Sequence, residues 1–288
     1  MSLFRGPATR LAAIQMWIEP GMREENQARA AKMLSVAAER KADLACLPGA
    51  FATGVNFPTL RADATPSDGP VVRFLADQAR ALGIHIAAGV LVSSGRDVFD
   101  AAVLLGPDGD TLGWYHRACV WSGEADYVST GAPGAAIDTP IGRIGLLVGY
   151  DIRFPEASRQ YLLQGVDLVV CAANLFAPYS HPVRSICRAR AADNECALVL
   201  ASGVGENRFA MMPYLGRSMI VDGLVQDARE DPEADVLAEA PAGARDTVID
   251  AVVHLRQRRK LRAGLPFHDD VRSTWTTVHG PAAEGRDR

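Results

Sequence analysis

Two charged side chains in one segment, Arg117 and Glu124, are the first candidates for chemistry. An arginine guanidinium stays charged at neutral pH, and its planar fork suits holding a carboxylate or an oxyanion. A glutamate carboxylate serves as an acid or a base. Both residues fall in the stretch 115–134, whose length alone favours a functional loop. Two interpretations stay open: a substrate-anchoring cation beside a candidate acid or base, or a structural ion pair that orients the loop.

A second candidate is the turn between an apolar run at 144–148 and the segment that begins at Pro155. The run predicts a strand, and the proline predicts the first turn of a helix. In α/β proteins such a turn faces the crevice at the carboxyl ends of the strands, where reactive groups are held. The first position of this turn is Gly149, which brings no side chain to the crevice.

The turn sequence YDIRFPE, residues 150–156, closely resembles the nucleophile turn of the nitrilase superfamily. These carbon–nitrogen hydrolases act on nitriles, amides and N-carbamoyl groups with a glutamate, a lysine and a cysteine. The cysteine position of the family falls on Gly149. The segment DLACLPGAFATG resembles the glutamate segment and places that position on Gly49, while YHRACVW resembles the lysine segment and places it on Arg117. The resemblance therefore implies that all three triad positions are substituted.

Further motifs extend the resemblance over about residues 10–267. They are DGP at 68–70, PDG at 107–109, RARAADN at 188–194 and GRSMIVDG at 216–223. Glu124 lies where the family often carries a second, positioning glutamate. The resemblance implies a four-layer α-β-β-α sandwich in one domain over residues 1–280, and a homo-oligomer, commonly a dimer. The tail at 281–288 is expected to be disordered.

The substituted triad suggests a loss of ordinary hydrolysis, because a thiolate, a base and a cation normally act together on the amide or nitrile carbon. The favoured expectation is a pseudoenzyme that binds a small molecule or serves in assembly. One alternative is non-covalent chemistry in the emptied pocket, such as cyclisation, isomerisation or elimination, carried by Arg117 and Glu124. The other is a carbon–nitrogen hydrolase that uses a different nucleophile or an activated water.

Arg117 and Glu124 are the candidate catalytic residues, and residues around the triad positions are candidates for substrate binding. The binding set is Gly49, Phe51, His116, Gly149, Tyr150, Asp151, Asn174 and His181. Cys119 and Cys171 are weighed as replacement nucleophiles, but each would need a new base and a shifted oxyanion site. No metal site is expected, since the run at 268–270 lacks the spacing for convergent ligands.

Composition fits one large domain in 288 residues with 48% hydrophobic side chains. A net charge of −4 argues against a nucleic-acid or anionic-membrane surface, and the basic run at 256–262 is interpreted as the solvated face of a short helix. Five cysteines without CxxC spacing favour neither disulfides nor zinc. With no apolar run of about 18 residues and no hydrophobic signal core, we expect a cytoplasmic protein without a cofactor.

Patterning predicts an alternation of strands and helices. Strands are expected at 10–17, 43–47, 84–92, 98–105, 111–114, 144–148, 166–171, 196–202, 218–225 and 247–253, and helices at 24–40, 70–82, from 155 onward and at 182–194.

Overall fold

The computed structural model describes residues 8–180, 182–223, 233–241, 243 and 245–275. The strands are β1 Thr9–Trp17, β2 Leu44–Cys46, β3 His85–Ser94, β4 Asp97–Leu105, β5 Thr111–His116, β6 Ile137–Thr139, β7 Gly142–Val148, β8 Leu168–Ala173, β9 Ala197–Val204, β10 Glu206–Asn207, β11 Met212–Pro213, β12 Met219–Asp222, β13 Val236–Glu239 and β14 Thr247–Val253. The helices are α1 Arg23–Glu39, α2 Leu60–Asp63, α3 Pro70–Leu82, α4 Pro155–Leu163, α5 Val183–Asp193, α6 Leu255–Arg262 and α7 Phe267–Asp270.

One strand connects the two layers of sheet. The strand order is β5-β4-β3-β2-β1-β9-β8-β7-β6, with β14 beside β1 and with β12 and β13 beside β9. β1 pairs with β2 and β14 on one side of the junction, and its last two residues pair with β9 at Met16↔Gly203 and Trp17↔Val204. Side chains of both layers share one buried core, which includes Leu104, Tyr115, Ile144 and Leu168. The layers therefore pack face to face.

Helices cover both outer faces of this pair of sheets. Leu34 of α1 and Leu75 of α3 pack in a core with the first layer, and Tyr161 of α4 and Cys187 of α5 pack on the second layer. Together with the two sheets this gives an α-β-β-α sandwich, which confirms the fold predicted from the resemblance.

α3 illustrates why the helices begin and end where they do. Pro70 occupies its first turn, where a missing N–H is harmless, and Gly83 ends it with a left-handed backbone at φ +66°. Val71, Leu75 and Ala79 recur at helical spacing and are buried. The predicted bounds of this helix, 70–82, are confirmed.

The interpretation of the basic run at 256–262 as a solvated face is wrong. Arg258 and Arg262 are 2% and 6% exposed, respectively. Arg262 donates to Asp167, which is fully buried and also pairs with Arg259, and Arg258 pairs with Asp222. The arginines of α6 pair with carboxylates of the second layer. Only part of the basic run therefore faces solvent.

The described residues contain neither a membrane-spanning helix nor a cluster arranged for a metal ion. Within them, no helix combines the length and apolar character needed to cross a membrane. The same part of the chain holds no group of three or more His, Cys, Asp or Glu side chains arranged for a metal ion. The expected tail at 281–288 lies outside the described residues.

Candidate functional site

A cavity of about 310 Å³ opens where several strands end. Gly49 lies just beyond β2, Gly149 directly follows β7, and Asn174 directly follows β8. Arg117 follows β5, and all four residues line the cavity. The site therefore sits at the carboxyl ends of parallel strands β2, β7 and β8, where ligands of α/β sheets are expected to bind.

The two glycines of the site differ in the space around them. Gly149 has φ +46°, and a Cβ added there would meet no atom within 4 Å, so the cavity is open above it. A Cβ at Gly49 would lie 3.1 Å from the carbonyl carbon of Ala173, which is tighter than an ordinary contact. The cavity thus keeps open space over Gly149, while the backbone around Gly49 is closely packed.

Arg117 is held between two carboxylates at the cavity wall. Its Nη2 donates to Oε2 of Glu124 at 2.6 Å, and its Nε lies 3.5 Å from Oδ2 of Asp100. Oε2 of Glu124 also accepts the backbone N–H of Trp121 at 3.1 Å. Arg117 is only 5% exposed, although it lines the cavity. Arg117 therefore pairs with Glu124 and also lines the cavity, so the contacts of both interpretations occur together, and its role in binding or catalysis stays a prediction.

Asp151 fixes the segment that carries Arg117. Its carboxylate accepts the hydroxyl of Tyr115 at 2.7 Å and the backbone N–H groups of Cys119 at 2.8 Å and Ala118 at 3.3 Å. The residue is fully buried and is the third residue of the turn that begins at Gly149. Asp151 therefore ties the chain beyond β5 to the turn beyond β7, and this sets the position of the guanidinium.

The pKa values of Asp100 and Arg117 are both raised, the first by burial and the second by neighbouring charges. Burial raises the pKa of Asp100 to about 6, an effect that Arg117 opposes and that Glu124 and Asp151 reinforce. Burial alone would lower the pKa of Arg117, but Asp100 and Glu124 outweigh it and raise that pKa. Arg117 therefore remains a cation, whereas Asp100 exchanges its proton near neutral pH.

Asp100 is the site residue that sequence reasoning missed. On β4 it stands two residues before Ala102 and four before Leu104, and both of these face the core between the layers. Side chains alternate along a strand, so Asp100 faces the same inner side. A carboxylate in an inward-facing apolar row is a readable signal, because a charge is rarely buried without a reason.

Apolar and aromatic side chains form the rest of the cavity wall. Trp121 packs against Tyr150 and Tyr179 with ring centroids 5.4 and 5.5 Å apart, and both tyrosines also line the cavity. The further apolar lining residues are Val55, Phe57, Leu175, Phe176 and Met212. A charged cluster at one place in an apolar cavity favours a small ligand with one polar group.

The predicted site residues fall into two groups. Those that line the cavity are Gly49, Arg117, Glu124, Gly149, Tyr150 and Asn174. The others lie elsewhere: Phe51 packs on Phe74 in the outer core, His116 stacks on Phe99, and Asp151 is buried within the turn. His181 lies outside the described residues. Asn174 donates its side-chain N–H to the carbonyl of Gly49 and so links two of the strand ends.

Neither cysteine weighed as a nucleophile is part of the described cavity wall. Cys171 is fully buried, and burial raises its thiol pKa well above the ordinary value. Burial also raises the pKa of Cys119, as do the charge and hydrogen bonding of Asp151. A thiol is nucleophilic as its thiolate, so both shifts work against attack by these sulfurs. Ser180, in contrast, lines the cavity with a hydroxyl side chain.

Comparison with known proteins gives matches over most of the chain. A nitrilase of Pyrococcus abyssi is 31% identical over 240 residues, which cover 80% of this chain and 84% of the relative. A 2-oxoglutaramate amidase of Bacillus subtilis is 26% identical over 265 residues, which cover 91% and 97%. The crystal structure of a CN-hydrolase superfamily protein of Xanthomonas campestris matches with a TM-score of 0.79 at 22% identity, covering 92% of this chain and 97% of that one.

These names overturn the functional expectation drawn from the substituted triad. The expectation of a pseudoenzyme without amide or nitrile hydrolysis is wrong, because the full-length relatives are named as a nitrilase and an amidase. The alternative of cyclisation, isomerisation or elimination is contradicted in the same way, since the names point to a hydrolase. Substitution at the three triad positions, Gly49, Arg117 and Gly149, is therefore not sufficient to exclude hydrolysis. The sequence profile of the carbon-nitrogen hydrolase family matches residues 10–261, and the chain belongs to this family.

Proposed function

We propose that this chain is a carbon–nitrogen hydrolase that releases ammonia from a small carboxamide. The observation that supports this most directly is the cation Arg117, held between Asp100 and Glu124 at the wall of a cavity of about 310 Å³. Hydrolysis of an amide passes through a tetrahedral oxyanion, and a fixed cation in a site shielded from water stabilises that charge. The relatives named as amidases supply the substrate class.

The proposed nucleophile is a water molecule. The resemblance places the family's cysteine position on Gly149, which has open space above it. A substrate amide and a water molecule both fit where a side chain is absent. In this arrangement Arg117 stabilises the oxyanion, and Glu124 keeps the guanidinium in place through its contact at 2.6 Å. A carboxylate that accepts the proton of the attacking water completes the reaction.

The cavity wall bears on which amides fit. Phe176, Trp121 and Tyr179 offer aromatic surface to the acyl group of the substrate. Arg153 also lines the cavity and donates to the carbonyl of Tyr179 at 2.7 Å, so a cation is present for a substrate with a second, negatively charged end. The substrate panel should therefore contain neutral aromatic amides and the mono-amides of small dicarboxylic acids.

The test is ammonia release by the purified protein from this panel, with small nitriles included. Arg117→Lys keeps the positive charge but loses the planar fork, so we expect kcat to fall roughly tenfold or more while the protein stays folded. Arg143→Lys is the matched control, because Arg143 pairs with Asp138 away from the cavity. No hydrolysis of any amide or nitrile in the panel, or equal kcat in both variants, would refute the proposal.

A further inference from the structure

Two carboxylates lie beside Arg117, and they differ in how the surrounding donors hold them. Oε2 of Glu124 takes the guanidinium Nη2 at 2.6 Å and the N–H of Trp121 at 3.1 Å. That oxygen is therefore occupied by two donors. Its geometry suits a residue that holds the arginine and the loop in position.

Asp100 has the opposite environment. Its Oδ1 is buried and has no hydrogen-bond partner among the described residues. Its Oδ2 is 3.5 Å from Nε of Arg117, which is longer than a normal hydrogen bond. A buried acceptor without a donor is rare in folded proteins and calls for an explanation. The carboxylate therefore has one long ion pair with the guanidinium and, among the described residues, one oxygen that no donor reaches.

Asp100 also faces the cavity. The residue is part of the cavity wall, and 12% of its side chain is exposed although Oδ1 is buried. The accessible part of the carboxylate is therefore on the side of Oδ2. A water molecule in the cavity can reach this oxygen while the guanidinium of Arg117, which shares the same wall, receives the carbonyl oxygen of the substrate.

From this geometry we infer that Asp100 is the general base of the proposed reaction, acting on the water that attacks the carboxamide. The inference rests on the proposed function and names a residue that neither the resemblance nor the sequence patterns assigned. Asp100 is a catalytic residue in this scheme, and Glu124 is a positioning residue that acts through Arg117.

The reaction balances without any further reactant. As the water oxygen bonds to the amide carbon, Oδ2 of Asp100 takes one of its protons, and the electron pair of the C=O bond moves to the oxygen beside Arg117. When the C=O bond forms again, the C–N bond breaks, and the nitrogen takes the proton from the Asp100 carboxyl. Ammonia and a carboxylic acid leave, and Asp100 is again a carboxylate.

The protonation behaviour of Asp100 agrees with this role. Its pKa is raised to about 6, so the group is ionised at neutral pH and still accepts a proton readily. The charged and titratable groups whose electrostatic interactions with Asp100 the structure gives are Arg117, Glu124, Asp151, Cys171 and Tyr214. Burial sets the upward direction of the shift, Arg117 opposes it, and Glu124 and Asp151 reinforce it.

The experiment measures kcat/KM against pH for the wild type, Asp100→Asn and Glu124→Gln on whichever amide the wild type hydrolyses. We expect an acidic limb near pH 6 in the wild type. Asp100→Asn should lower kcat about 100-fold or more at neutral pH and remove that limb. Glu124→Gln should be slower but keep it. Asp97→Asn, at the exposed start of the same strand, is the matched control and should leave the activity unchanged.

Two further measurements separate the alternatives. A single turnover in water labelled with heavy oxygen should place the label in the product acid and none in Asp100, whereas label in the Asp100 carboxyl would make it the nucleophile and overturn the inference. The second measurement follows ammonia before steady turnover: we expect no burst, because an attacking water forms no acyl-enzyme, and a burst equal to the enzyme concentration would indicate a covalent nucleophile and overturn the inference. Full activity of Asp100→Asn refutes the role of Asp100 alone, whereas a wild type inactive on every substrate refutes the proposed function and this role with it.

Discussion

Asp100 is expected to reduce the stability of the folded protein whenever it is ionised. Its pKa in the folded chain is raised from 3.8 to about 6, which means that the native state disfavours the charged form. The unfavourable contribution is absent below the unfolded pKa, grows as the pH rises, and is complete above the folded pKa. Converted at 1.36 kcal/mol per pKa unit, it amounts to roughly 3 kcal/mol.

Asp100→Asn is therefore expected to stabilise the protein while it removes the base. Asparagine is neutral throughout, so the gain in unfolding free energy over the wild type should be small at about pH 4 and approach roughly 3 kcal/mol at about pH 7.5. Urea titrations of both proteins at several pH values measure it. A gain that is independent of pH would mean that the pKa of Asp100 is not raised in the folded chain, and a loss at neutral pH would mean that the Asp100–Arg117 contact is net stabilising.

Gly149 and Gly89 differ in what an added Cβ would meet, and so in how much an alanine there should destabilise the protein. A Cβ at Gly149 has open space but a strained backbone at φ +46°, so Gly149→Ala should lower the unfolding free energy by about 1–2 kcal/mol. A Cβ at Gly89 would overlap the Cα of Gly49 and press on the carbonyl oxygen of Pro48 at 2.9 Å. Gly89→Ala must move backbone at the base of the cavity.

We expect Gly89→Ala to be the more destabilising of the two changes, by about 3 kcal/mol or more relative to the wild type, because packed backbone yields less than an open loop. Denaturant unfolding of the two variants and the wild type measures the order. If Gly149→Ala were the more damaging change, the close approach of Gly89 and Gly49 would not be a constraint of the fold.

At the scale of elements, local sequence patterns were sufficient for some segments. The predicted bounds of α3 and β14 match the structure, because Pro70 and Gly83 mark the ends of the helix and the hydrophobic run at 247–253 fills one strand. The candidate site was harder to predict. Arg117 and Glu124 were found from their positions in a motif, but Asp100 lies on a different strand and meets Arg117 only through the pairing of β4 with β5.

Partners that are distant in the chain also explain why the basic run of α6 was wrongly interpreted as a solvated face. A run of five cations in about two helical turns looks solvated in sequence, because the carboxylates that pair with it are distant in the chain. Asp167 is 92 residues from Arg259 and 95 from Arg262. Long-range partners of this kind leave no local trace in the pattern.

Two arginines of α6, Arg262 and Arg259, should differ sharply in what they contribute to stability. Arg262 is 6% exposed and donates to Asp167 at 2.6 Å, whereas the side chain of Arg259 is 53% exposed. Removing Arg262 leaves the fully buried Asp167 with only the half-exposed Arg259 as its ionic partner, so Arg262→Ala should lower the unfolding free energy by about 3 kcal/mol. Arg259→Ala should lower it by less than about 1 kcal/mol. Thermal and denaturant unfolding of the pair check the contrast, and similar losses in both would contradict it.

At the scale of the whole molecule, β1 is the element on which both layers depend. It pairs with β2 and β14 in one layer and with β9 in the other. Gln15 near its end is fully buried and connects distant parts of the chain. Its Nε2 donates to the carbonyl oxygens of Pro241 at 3.0 Å and Arg245 at 3.3 Å, and its Oε1 accepts the N–H of Ser218 at 3.2 Å.

Gln15→Leu keeps the approximate volume of the side chain but removes these hydrogen bonds, which leaves buried backbone groups without a partner. We expect a loss of about 1–3 kcal/mol in unfolding free energy. Met16→Leu, a buried change of similar volume at the next position, is the control and should cost less than about 1.5 kcal/mol.

Because the two layers share both β1 and one core, the loss of stability in Gln15→Leu should shift a single unfolding transition. Far-ultraviolet circular dichroism and tryptophan fluorescence should then give the same midpoint. Separate midpoints for the two signals in Gln15→Leu would show that the layers unfold independently, and the junction at β1 would then be a local contact rather than the element that makes the sandwich one cooperative unit.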